Sequence, residues 1–146
     1  MEYLTTHDIA WINTVVTGEM QPFNYIALES AMAGQYRYGN SQEVLAQAAT
    51  FLRRLLFSPP FAKGNRRTAL IATLTFLNRN GYRTAVSDEE LVRILRDLER
   101  GVIDAHQAIE QMVVPAETQI QEDLRIFVQH QCLQHTKALQ LALPGD

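Results

Sequence analysis

A chain of 146 residues that is 47% hydrophobic and 20% charged is long enough to bury a core and too short for two ordinary domains. Its net charge of −3 gives no general attraction for nucleic acid, so any cationic character has to be local. A single cysteine, Cys132, excludes an internal disulfide; with no signal peptide pattern and no apolar run of bilayer length, the expectation is a cytoplasmic protein without a membrane partner.

In chain order the sequence predicts an all-α domain of six or seven helices. Thr6-His7-Asp8 can start a helix with Ile9, Ile12, Val15 and Val16 on its apolar face, Trp11 joining the core and Gly18 ending it. Residues 19–25 contain Pro22 and read as a loop, and Ile26 to Ala33 form a short helix closed by Gly34. Glu29 on that helix reads as an exposed carboxylate, with an ion pair to Arg66 or Arg67 as the alternative. Gln35 to Ser41 alternates weakly, as a short hairpin would. From Ser41 to Phe57, Val44, Leu45, Ala48, Leu52, Leu55 and Leu56 keep helical spacing, Arg53 and Arg54 point elsewhere, and Pro59-Pro60 stop the helix.

The stretch from Phe57 to Tyr82 organises the rest. Arg66 to Asn80 carries apolar residues around nearly its whole circumference, which marks a helix buried on most sides, and Gly81 lies where an αL residue would stop it. Gly64 and Asn65 precede it, with the asparagine placed to cap exposed N–H groups. Arg66 and Arg67 then sit in the first turn, where positive charge opposes the helix dipole; the pair makes sense if an anion is bound there, and the plainer reading is a solvated basic turn.

Downstream, Ser87 to Glu90 reads as a capping box for a helix to about Arg100, ended by Gly101, and Asp104 with Gln107 caps another bearing Ala108, Ile109, Met112 and Val113. Pro115 interrupts the chain. Ile120, Leu124, Phe127, Val128, Cys132, Leu133 and Leu139 suggest one last amphipathic helix. His130, Cys132 and His135 are close in sequence, but zinc sites ordinarily need four ligands and no second cluster is present, so Cys132 reads as a small core residue.

The run Pro59-Pro60-Phe61-Ala62-Lys63-Gly64-Asn65-Arg66-Arg67-Thr68-Ala69-Leu70, with Phe76-Leu77 and Asn80-Gly81-Tyr82, resembles the signature of the Fic/Doc (death-on-curing) family. That signature reads His-x-Phe-x-Asp/Glu-Gly/Ala-Asn-Lys/Gly-Arg and commonly continues Thr-Ala-Leu. Weaker matches at Tyr3-Leu4-Thr5, Leu28 to Ala33 and Asp88 to Val92 extend the resemblance over roughly residues 2 to 114, closest to the compact Doc-like branch. It implies a compact helical bundle around a buried central helix with a short flap hairpin at Gln35 to Ser41, residues 1–114 forming the domain; residues 115–146 have no clear counterpart in the family and are expected to be a helical extension packed on it. It also implies a toxin–antitoxin-like or regulatory setting and transfer of a nucleotide or phosphate to a protein hydroxyl.

Two departures bear on that chemistry. The family's proton-accepting histidine is here Pro59, and its acidic Mg2+ ligand is here Lys63, an ammonium that cannot ligate a hard cation. The expectation is therefore a pseudoenzyme with no metal site. It would bind a phosphate-bearing ligand, such as ATP or another nucleotide without Mg2+, at Lys63, Gly64, Asn65, Arg66 and Arg67, or a regulatory protein partner. One alternative is an active but atypical nucleotidyl- or phosphotransferase; another is a purely structural interaction module whose arginines pair with the protein's own carboxylates. Thr118 to Asp123 loosely resembles the inhibitory helix of some Fic proteins, which would pair Glu122 with Arg67; the plainer reading of Glu122 is a solvated carboxylate.

Overall fold

The computed structural model describes residues 1–36, 43–117 and 122–141. Among them the elements are α1 (Thr6–Thr17), α2 (Tyr25–Ala33), α3 (Val44–Phe57), α4 (Asn65–Arg79), β1 (Tyr82–Thr84), α5 (Asp88–Glu99), α6 (Ala105–Met112), β2 (Val113–Pro115), α7 (Leu124–Gln134) and α8 (Thr136–Leu141). The protein is all-α. Eight helices are described where six or seven were expected, and the expected flap at Gln35 to Ser41 lies, after Tyr36, outside the described residues.

Helix α4 is the centre. Every residue from Thr68 to Asn78 is buried, because an apolar surface on all sides can only be satisfied by neighbours on all sides: α3, α1 and α7 pack along it. Phe76 meets Phe51 edge-on with ring centroids 6.1 Å apart. Phe51, absent from the apolar set expected on α3, is fully buried.

The ends follow local chemistry. Thr5 and Asp8 form a reciprocal capping box on α1, and Asp104 and Gln107 form one on α6. On α5 only half of the expected box forms: Ser87 accepts from the Glu90 N–H, while the Glu90 carboxylate turns to Arg93. Gly34 ends α2 in a right-handed conformation, not the left-handed one glycine usually supplies; a Cβ there would lie 3.0 Å from the Ala31 carbonyl and 3.1 Å from Arg54 Cδ, a tight fit in which a neighbour would have to give by a few tenths of an ångström.

Two features depart from the expected elements. β1 and β2 pair antiparallel, Tyr82 opposite Pro115 and Thr84 opposite Val113, a ribbon too short for its alternation to show in the sequence. The last helix is two helices, broken at His135, whose ring turns inward to Asp88 of α5 with Nδ1 2.8 Å from Oδ1. The Ala138 N–H donates to the other Asp88 oxygen at 3.0 Å, which seats α8 on the start of α5. Among the described residues no helix is long and apolar enough to cross a membrane.

Candidate functional site

The loop from Ser58 to Gly64 delivers the start of α4, and four sets of bonds fix it. The Asn24 N–H donates to the Pro60 carbonyl at 2.7 Å and the Ala62 N–H to the Pro22 carbonyl at 3.0 Å, so Phe23 and Phe61 face each other across an antiparallel bridge with their rings 6.0 Å apart. Asn65 closes the loop on itself: its Oδ1 accepts from the Phe61 N–H at 2.9 Å and its Nδ2 donates to the Phe61 carbonyl at 2.8 Å. The expected N-cap is thus a loop clamp, and the N-cap position belongs to Gly64 at φ 76° and ψ 20°. From α1, buried Asn13 donates to the Lys63 carbonyl at 2.8 Å and to Thr68 Oγ1 at 3.1 Å. Around Gly64 the fit is tight, since a Cβ would fall 2.3 Å from Thr17 Cγ2.

The two arginines diverge. Arg67 Nη1 donates to the Val16 carbonyl at 2.8 Å, in the last turn of α1. The carbonyl end of one helix therefore meets the amide end of another through a guanidinium, which offsets the unfavourable placement of that charge in the first turn of α4. Arg66 turns outward to Glu99 at the end of α5, Nη2 to Oε2 3.0 Å, in a half-exposed ion pair. Lys63 is exposed, and among the described residues its ammonium takes no hydrogen bond or ion pair.

Of the predicted site residues, Asn65 to Arg67 form the first turn of α4 and Gly64 is its N-cap, with Lys63 directly before it and Pro59 exposed at the loop's start. Glu29 is exposed on α2. Glu122 is not near Arg67: its carboxylate contacts His130 Nδ1 at 3.1 Å and its backbone carbonyl accepts from Arg79 Nη1 at 2.6 Å. Arg79 ends α4, roughly 18 Å from Arg67 along the rise of an α-helix, so the alternative pairing of Glu122 with Arg67 does not form. His130 is exposed and His135 buried, each on a different carboxylate, and no three His, Cys, Asp or Glu among the described residues lie close enough to hold a metal. Sequence reasoning missed Asn13, Val16 and Glu99. Asn13 had a signal, a polar residue four positions after Ile9 on the inward face of α1; a backbone carbonyl such as that of Val16 has none.

No family model matches the chain, and neither a curated protein nor a solved structure matches it.

Proposed function

We propose that the chain is a catalytically degenerate Fic/Doc-like protein that works by binding. A phosphate-bearing ligand or nucleotide sits at the start of α4, against Lys63, Gly64 and the first N–H groups of the helix, without a divalent metal. The observation that carries this reading is a rigid loop bearing residues unsuited to transfer. Asn65, Asn13 and the Phe23–Phe61 bridge hold the backbone in place, as a binding loop requires, while Pro59 has no proton acceptor and Lys63 no lone pair for Mg2+. A general base supplies roughly 10²- to 10⁴-fold, so a hydroxyl attacking without one would react slowly.

Lys63 is the residue to test, because Arg67 also holds the end of α1 and its removal would perturb the fold. Isothermal titration with ATP at low salt should show binding in EDTA that Mg2+ does not strengthen, that added salt weakens, and that Lys63→Glu reduces with no change in the unfolding midpoint. A requirement for Mg2+, or equal affinity of both proteins, would refute the reading. Radiolabelled ATP or GTP incubated with the protein and cell lysate should label no target above background, and robust labelling would restore the transferase alternative.

The second reading, an interaction module with no anion ligand, is favoured by the bonds of both arginines to the protein itself, Arg66 to Glu99 and Arg67 to Val16. It predicts no heat with ATP, sulfate or phosphate under any of these conditions.

A further inference from the structure

On another face, the C-terminal half of α3 and the segment joining α5 to α6 enclose two depressions of about 390 Å³ and about 720 Å³. Arg53, Phe57 and Ala105 line both, so the two form one groove with α3 as one wall and residues 101–107 as the other. Arg53 and Phe57 stand one turn apart on the same helix face. Phe57 is 53% exposed and Val102, on the opposite wall, 68%, so two large apolar side chains face solvent across the groove.

Charge supplies the other half of the argument. Arg53 is exposed and, among the described residues, makes no hydrogen bond or ion pair. Asp104 lines the groove and keeps its charge, but its carboxylate is turned to the start of α6, accepting from the Gln107 N–H at 2.8 Å; Asp97 pairs with Arg93 at 3.2 Å and Glu99 with Arg66 at 3.0 Å. On a chain of net charge −3, this groove carries Arg53 beside Phe57 on one wall and facing Val102 on the other, and among the described residues that guanidinium has no ion-pair partner. Arginine and aromatic side chains are the residues that dominate protein-binding hot spots, and two guanidiniums, Arg53 and Arg54, offer too little phosphate contact for nucleic acid.

We propose that the groove docks an amphipathic segment of a partner protein. An Asp or Glu of the segment pairs with Arg53, whose planar fork suits a carboxylate, and an apolar side chain enters between Phe57 and Val102. The groove reaches Ser58, the first residue of the loop that leads to α4, but Lys63 and Gly64 do not line it.

A random peptide library displayed on phage, panned against the intact protein, tests this. Enriched peptides should carry an acidic residue close to Phe, Leu or Trp, and in isotope-labelled protein they should shift the resonances of Arg53, Phe57, Val102 and Ala105. Arg53→Glu and Val102→Asp should each weaken binding by about tenfold, the loss of one strong contact, while leaving the unfolding midpoint and the ATP titration unchanged. Absence of enrichment, peptides lacking an acid, shifts gathered elsewhere, or undiminished affinity of Arg53→Glu would each overturn the proposal.

Discussion

At Gly64 two constraints coincide: φ is 76°, and a Cβ would lie 2.3 Å from Thr17 Cγ2. Gly101 shares the positive φ at 75° but has nothing within 4 Å of where a Cβ would stand. Alanine at Gly101 should therefore cost about 1 kcal/mol of backbone strain, and alanine at Gly64 roughly 2–4 kcal/mol, because Thr17 and the end of α1 must also move. Urea denaturation of the two variants measures the difference; equal costs would mean that α1 yields easily. Cys132 gives a second residue-scale prediction. Burial pushes its thiol up to about 11, so at pH 8 it stays protonated and should alkylate far more slowly in the folded protein than in urea. Above the ordinary thiol range the folded form keeps a proton that the unfolded form releases, and stability falls as pH rises toward 11.

At the scale of elements, helices are joined through their ends and through a few buried polar pairs. Arg67 links α1 to α4, and Gln131 Nε2 donates to Asn78 Oδ1 at 2.6 Å where α7 crosses α4. Asp88 is the single carboxylate that holds both His135 and the Ala138 N–H. Asp88→Ala should cost about 1–3 kcal/mol, the penalty for leaving buried partners without an acceptor. Its signature in amide exchange is faster exchange confined to α8 and the last turn of α7, with α4 unchanged; uniform acceleration would show that α8 is no separate unit. Beside it, a hydrogen bond from Lys137 holds the Glu89 carboxylate below its usual range. Whatever that exposed pair contributes is present at neutral pH and lost as pH falls through the lowered value.

For the whole molecule the prediction is that stability is concentrated in α4. Phe76 is fully buried against Phe51 and lies 6.3 Å from the Tyr3 ring, so it links α4 to α3 and to the N-terminal segment. Phe76→Ala should destabilise by roughly 3–5 kcal/mol, a large share of the stability of a domain this size, and should lower the unfolding midpoint seen by circular dichroism. A variant that unfolds like the parent would place the core elsewhere.

Periodicity and turn chemistry are local, and they determined much by themselves. The all-round apolar surface of residues 69–77 placed α4 at the centre, Thr5, Ser87 and Asp104 sit at helix starts that the sequence marks, and the changes at Pro59 and Lys63 can be read without coordinates. What a polar side chain does with its hydrogen bonds is not local, because the choice among partners depends on what folding brings within about 3 Å. Asn65 was equally suited to cap a helix and to clamp a loop, and the path of the loop back past Phe61 decided it. Arg66 and Arg67, adjacent in sequence, were sent to Glu99 at the end of α5 and to Val16 on α1, which packs along α4. The break at His135 likewise follows from Asp88, 47 residues earlier, reaching a ring that helical spacing alone would have left in a continuous helix.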